Sequence, residues 1–312
     1  MEVNLSRPKL DSTLSLIIPT RNRADLLEEC LRHLMGQIGQ KDEVLVVDNG
    51  SQDDTHQVVL SFQDKMPVKY FFESRKGPSF ARNLGIRKAK GKILGFLDDD
   101  MIANKNWVKE VKRLVPQGDF VYAGKVKNIY FKEGIFTQMS RLRDELFWPL
   151  ILKQSSSRDK GRPVINFLGS GNFCLRKEVS LNLKKVFDEE NFPFIGEQQD
   201  LAERLQLTGY KIIYNPKMIT QQQKGEIILK KVLVESFLWG KAMGMIEEKY
   251  QASPKLTKLF FEHKKSFSLF QKLSLAWRRA NWLVFFLFFL WETSFSLGKI
   301  WGRFQSSVFK RT

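Results

Sequence analysis

The chain has 312 residues, 43% of them hydrophobic, and its 51 Lys and Arg outnumber 34 Asp and Glu for a formal net charge of +17. That length accommodates two ordinary domains, or one α/β domain with an appendage, and the apolar content excludes a disordered or fibrous chain. The two cysteines, Cys30 and Cys174, are too few for a disulfide framework and their spacing suits no metal site, so a cytosolic setting is expected.

Residues 1–13 form a polar lead, and the first apolar run behind it, Leu14–Ile18, is too short for the core of a secretory signal. The run is continuous and closed by Pro19, which predicts a strand buried on both faces. Leu27, Leu31, Leu34 and Met35 then recur at helical spacing. Val44–Val47 predicts a second buried strand, stopped at Asp48-Asn49-Gly50, after which Ser51 and Asp54 are spaced as a capping box. Val68–Phe72 is a third strand, a helix follows from Pro78, and Ile93–Leu97 is a fourth strand. Strands alternating with helices imply right-handed crossovers and a parallel sheet, so the fold class is α/β. Farther along, Gln154–Pro163 reads as a polar loop, Asp200–Leu207 as a helix closed by Gly209, Lys211–Tyr214 as a short strand and Ile227–Leu238 as an amphipathic helix.

Ligands of open parallel sheets bind beyond the carboxyl ends of the strands. Three such ends carry more polar residues than a turn requires: Pro19-Thr20-Arg21-Asn22, Asp48-Asn49-Gly50-Ser51 and Asp98-Asp99-Asp100. Three adjacent carboxylates repel unless a cation or solvent relieves them. Mg2+ or Mn2+ takes one or two carboxylates and fills its shell with water and phosphate oxygens. Asp98 and Asp100 therefore suit a metal bridging to a diphosphate, with Arg21 and Arg82 as forked donors to other phosphate oxygens. The plain alternative is a set of turns and a solvated acidic loop. No Walker sequence and no G-x-G-x-x-G occurs, which disfavours P-loop and dinucleotide chemistry.

Taken in order, Leu16-Ile-Ile-Pro-Thr-Arg-Asn22, Val46-Val-Asp-Asn-Gly-Ser-Gln-Asp53, Gly77-Pro-Ser-Phe-Ala-Arg-Asn83 and Phe96-Leu-Asp-Asp-Asp100 resemble the successive motifs of family-2 glycosyltransferases. Gly169-Ser-Gly-Asn172 with Arg176, and Gly196-Glu-Gln-Gln-Asp-Leu201 with Arg204, are similar to that family's acceptor-side motifs. The resemblance runs over residues 14–222. It implies the GT-A fold, with a Rossmann-like, mostly parallel central sheet, and inverting transfer from a nucleoside-diphosphate sugar to an acceptor hydroxyl. By that resemblance Pro19, Arg21 and the Asp48–Asn49 loop flank the nucleotide base, Arg82 approaches the nucleotide and Asp98 lies near the ribose. Thr20, Asn22 and Asp99 belong with this nucleotide-sugar-binding set. Asp100, joined by Asp98, holds Mg2+ or Mn2+, and Gly171, Asn172 and Arg204 fall on the acceptor side. Many relatives have a second Asp where this chain has Asn49. A carboxylate or an amide oxygen can accept from the N3–H of uracil or thymine, which favours UDP or dTDP.

Two departures from the family matter. The position that commonly supplies the general base is Gln198, which leaves Glu197 as the expected base and Asp200 as its alternative. Where the family often carries a His after the final core strand, this chain has Gln221-Gln222-Gln223, and His33, His56 and His263 read as surface helix residues. A catalytically silent relative and a nucleotidyltransferase stay open as competing readings.

The expected organisation is a catalytic domain over 14–252, its nucleotide half 14–118 and its acceptor half 119–252, followed by a tail over 253–312. From Tyr250 onward, eleven Lys and Arg stand against two Glu, and Trp277, Trp282, Trp291 and Trp301 surround the densest apolar run, Trp282–Trp291. Ten helical residues span about 15 Å, half of a hydrocarbon core. The tail is therefore expected to lie in the interface of an anionic membrane, at the cytoplasmic face, rather than to bind nucleic acid. A tilted span from Ala280 to Leu297, or a helix packed on the domain or across a dimer, is the alternative. A glycan or lipid-linked acceptor, in cell-surface glycan or glycolipid synthesis, suits that setting.

Overall fold

The computed structural model describes residues 13–114, 120–153, 157–159, 161–169, 171–250, 274, 276–277 and 281–309. The chain divides into two compact units, one of residues 1–127, 168–193 and 210–222, the other of residues 128–167, 194–209 and 223–312. All of the expected lead over residues 1–13 except Thr13, and the boundary near Ser253, lie outside the described residues, as does His263.

Unit 1 is built on β1 (Leu14–Thr20), β2 (Glu43–Asp48), β3 (Val68–Phe72), β4 (Ile93–Leu97), β5 (Met101–Ala103), β6 (Phe120–Tyr130), β9 (Asn172–Arg176) and β10 (Lys211–Lys224). The strand order is β3-β2-β1-β4-β9-β6-β10, with β5 paired to β10. The first four strands are parallel; β9 runs antiparallel to β4 and β6, and β5 antiparallel to β10. β1, β2 and β4 are buried along their whole length, as continuous apolar runs covered by helices on both faces should be. Helices α1 (Ala24–Leu34), α2 (Thr55–Phe62), α3 (Pro78–Lys88), α4 (Trp107–Leu114) and α6 (Lys177–Leu181) complete the unit. The capping box expected at Ser51 does not form. Asp53 instead accepts from the backbone N–H groups of Ala24 and Thr55, while Ser51 Oγ accepts from Asn22 N–H. The caps thus tie two loops together rather than close one helix.

Unit 2 holds α5 (Ile135–Lys153), the hairpin β7 (Arg158–Asp159) and β8 (Arg162–Ile165), α7 (Glu197–Leu207), α8 (Leu229–Tyr250) and α9 (Trp282–Phe309). The hairpin stands where a polar loop was expected; its tip is Gly161, with φ +80°. α8 continues twelve residues beyond Leu238, and α9 runs through Glu292, which is buried rather than a terminator. The two helices cross on glycines. A Cβ on Gly240 or Gly244 would meet the Phe295 or Lys299 carbonyl at 1.9 or 2.1 Å, and one on Gly298 or Gly302 the Phe237 or Lys241 carbonyl at 2.0 Å. Such contact lets hydroxyls bond across the pair, Ser236 to Trp291 O and Ser294 to Leu233 O, both at 2.8 Å. Val284, Leu287 and Phe288 of α9 pack with Met139, Leu142 and Val232 in one apolar cluster. The opposite side of α9 exposes Trp282, Phe286, Phe289, Leu297, Ile300 and Phe304, so one face alone is covered.

Candidate active site

The loops that end β1, β2 and β4 are knitted by their own polar groups. Thr20 Oγ1 donates to Asp99 at 2.8 Å. Asn22, at φ +52°, takes Gln52 N–H on its Oδ1 at 2.7 Å, which joins the first two strand ends. Asp48 accepts from Ser51 N–H at 2.8 Å and from Tyr70 OH at 2.7 Å; burial and this carboxylate push the Tyr70 phenol well up. Asn49 donates to the carbonyls of Glu73 and Arg75 at 3.1 and 2.6 Å and accepts from Gly77 N–H at 2.6 Å. Its oxygen keeps one further lone pair. Pro19 lies within β1 and Arg21 is exposed just beyond it.

The acidic triplet divides its partners. Asp98 is paired with Arg82 Nη2 at 2.8 Å, and Arg82 is itself buried, 5.6 Å from the Phe187 ring. Gly171 lies against Asp98: at φ +59°, a Cβ there would come within 2.3 Å of the carboxyl carbon. Asp99 takes Thr20 and Arg23, the latter at 3.0 Å. Burial pushes Asp99 up to about 6 against the pull of Arg23, and the charges of Asp100 and Asp98 add to the rise. Asp100 receives Gln222 Nε2 on both oxygens, at 3.2 and 3.1 Å, with Arg23 at 3.5 Å. Among the described residues no three His, Cys, Asp or Glu side chains form a metal cage. The all-oxygen donors present fit a hard ion shared with a diphosphate, which needs one or two protein carboxylates.

Two of these pairings escaped the sequence reading, although Gln222 stands in the run that takes the place of the family's His. Arg23, not Arg21, reaches the acidic loop; the residue sits at the N-cap of α1, where one more polar side chain in a turn carries no signal. Gln222 stands opposite Asp100 because β10 pairs with β5 in a register that sets Gln222 against Met101. Asn172 corrects an expectation. It is 1% exposed on β9, accepts from Trp107 Nε1, and donates to Lys125 O, Met218 O and Thr220 Oγ1. That amide is spent inside the fold and not on an acceptor. His33 and His56 are exposed on helices, as expected.

In unit 2, Gly196 takes the left-handed conformation, φ +93°, and α7 starts at Glu197. Glu197, Gln198, Gln199 and Asp200 are all buried. Asp200 binds Arg204 Nε at 2.8 Å and both Lys249 Nζ and Tyr250 OH at 2.7 Å. Arg204, placed on the acceptor side by the sequence, is thus engaged with its own helix. Burial pushes the Glu203 carboxyl up to about 7 despite a bond from Gln199, and Asp200 and Glu247 raise it further.

Comparison with known proteins agrees with this architecture. The solved mannosyltransferase PcManGT from Pyrobaculum calidifontis, in complex with GDP-Man and Mn2+, superposes with a TM-score of 0.65 at 16% identity, covering 95% of this chain and 87% of its own. The S. aureus TarS fragment 1–349 in complex with UDP follows with a TM-score of 0.55 at 17% identity, over 96% and 91%. The fold is of GT-A type. Glycosyltransferase GlyG of Streptococcus pneumoniae is 27% identical over 66% of this chain and 68% of its own. Four other curated relatives are much longer, the chain spanning between 16% and 22% of their length. The family model described as glycosyl transferase family 2 matches residues 15–183, more than half of the sequence and all three polar strand ends of unit 1, and the chain belongs to that family.

Proposed function

We propose that this protein is an inverting glycosyltransferase that moves a sugar from a nucleoside-diphosphate sugar to an acceptor hydroxyl. The observation that carries the reading is the end of β4, where Asp98, Asp99 and Asp100 face Arg82, Arg23 and Thr20 beside a glycine that admits no side chain. Asp100 and Asp98 would hold Mg2+ or Mn2+, which, when bound, offsets charge on the leaving diphosphate. Arg82 and Arg23 would turn to phosphate oxygens as forked donors. The Pro19–Asn22 and Asp48–Asn49 loops would enclose the base, a pyrimidine accepted by the remaining Asn49 lone pair. Glu197 would take the proton of the attacking hydroxyl, a role that demands hydrogen-bond reach and a matched pKa.

The described residues include one helix, Trp282–Ser307, long and apolar enough to cross a membrane, but only 28% of its most apolar stretch is buried. Its one-sided exposure supports a helix lying in a membrane surface, with the basic tail drawn to anionic lipid. A lipid-linked or glycan acceptor would meet the enzyme there.

Calorimetry with UDP, dTDP and GDP in Mn2+ tests the site: Asp100→Ala should lose the divalent-dependent affinity. Glu197→Gln should bind donor normally and turn it over about two to four orders of magnitude more slowly. Wild-type protein that binds nucleotide yet releases no nucleoside diphosphate from the corresponding sugars would be a silent relative, a reading favoured by Gln198. Release of pyrophosphate would make it a nucleotidyltransferase.

A further inference from the structure

A carboxylate removed from water must be paired. Asp200 is fully buried in the first turn of α7, and two of its three partners come from the last turn of α8, 49 and 50 residues along the chain. Lys249 Nζ and Tyr250 OH share its Oδ1, while Arg204 of its own helix takes Oδ2. The lone pairs of Asp200 are therefore spent within the protein, leaving little for an acceptor hydroxyl. Glu197 stands three positions earlier on the same helical face. The helix that supplies the clamp is itself seated glycine against backbone on α9, so the anchor is a rigid element and not a loop.

We propose that Lys249 and Tyr250 are positioning residues for the transfer reaction, fixing the first turn of α7 through Asp200 and thereby the direction in which Glu197 presents its carboxylate. The proposal rests on the reading of Glu197 as the base. Asp200 then belongs to the clamp. Lys249 has a second effect, because with Arg204 it balances the Asp200 charge that Glu197 would otherwise feel.

The test uses the full chain with Mn2+ and the nucleotide sugar hydrolysed fastest in a panel of UDP-, dTDP- and GDP-sugars, water serving as acceptor. Tyr250→Phe keeps the ring and removes the bond; kcat should fall about ten- to hundredfold, the cost of a misplaced group, with donor KM within about twofold. Lys249→Met should shift the acid limb of the kcat profile to higher pH by about half a unit, since uncompensated negative charge favours the protonated base, and Lys249→Arg should restore it. Hydrogen exchange supplies an arm independent of turnover. The Asp200 amide, bonded to Gly196 O at 2.8 Å, should exchange faster in Tyr250→Phe while the β1 and β4 amides do not change. Wild-type kcat in Tyr250→Phe with an unshifted limb in Lys249→Met would overturn the proposal, as would unchanged exchange at Asp200. If wild-type protein turned over no donor, the enzymatic reading would fail by itself, and with it the positioning role.

Discussion

The strand ends of unit 1 and the α8–α9 pair of unit 2 are held by opposite means. At the strand ends most fixed points are polar side chains meeting polar partners, as where Asn49 bonds to Glu73, Arg75 and Gly77 of the loop after β3. In the helix pair the close approach comes from missing side chains, four glycines letting carbonyl oxygens stand where a Cβ would be, and the Ser236 and Ser294 hydroxyls bond across it. A polar network degrades one bond at a time and announces itself in sequence as an unusual cluster. A backbone contact fails with the first added carbon, and a glycine in a helix reads as a weakness.

The largest effect should follow from breaking the contact that has no slack. Gly298→Leu places carbon against the Phe237 carbonyl and should destabilise the helix pair by about 3 kcal/mol or more, the upper range for overpacking. Calorimetric melting should show the loss, while UDP affinity in Mn2+ changes little; an unaltered melt would refute the close crossing. Next in size, replacing Phe286, Phe289 and Ile300 together by Ser on the uncovered face should leave the melt nearly unchanged. Sedimentation with phosphatidylserine vesicles should fall at least about tenfold, because each such side chain carries about 1–2 kcal/mol of transfer energy when half exposed. High salt should weaken the wild-type association without abolishing it, since screening reaches the charges and not the rings.

The smallest effect concerns charge in unit 2. The folded-state pKa of Glu203 is raised to about 7, so its contribution is fully present below the unfolded value and is lost as pH rises through 7. Glu203→Gln, which mimics the protonated form, should match wild type at pH 4.5 and exceed it by about 1–3 kcal/mol at pH 8. Denaturant melts at the two pH values measure the difference, and equal gains at both would remove burial as the cause.

What the sequence disclosed follows the same division. β3 and β4 run over the residues that the apolar pattern assigned them; β4, buried along its whole length, is a short uninterrupted apolar run bounded by turns, whereas β3 is an edge strand that is only partly buried. The acidic triplet was legible as an excess of charge at a strand end. Arg23 was not, since its role depends on a loop returning toward Asp99 across 76 residues of chain. Asn172 misled because a motif gives a residue type without its direction, and the side chain turns inward to Trp107. The α8 pattern stops near Leu238 and the apolar run of α9 stops before Glu292, because Gly240, Gly244 and a charged residue count against helices in isolation. Tertiary contact reverses all three.

The antiparallel pairing of β4 with β9 has a consequence for how the protein is made. β4 is a run of five buried residues whose far edge is completed only by Asn172–Arg176. During synthesis that edge stays open from Leu97 until Asn172 emerges, roughly 4 to 15 s at 5–20 residues per second. An unpaired apolar edge is a template for pairing with a neighbouring chain. Slow translation between these two points therefore lengthens the interval in which nascent chains on one messenger can associate, and faster elongation there shortens it.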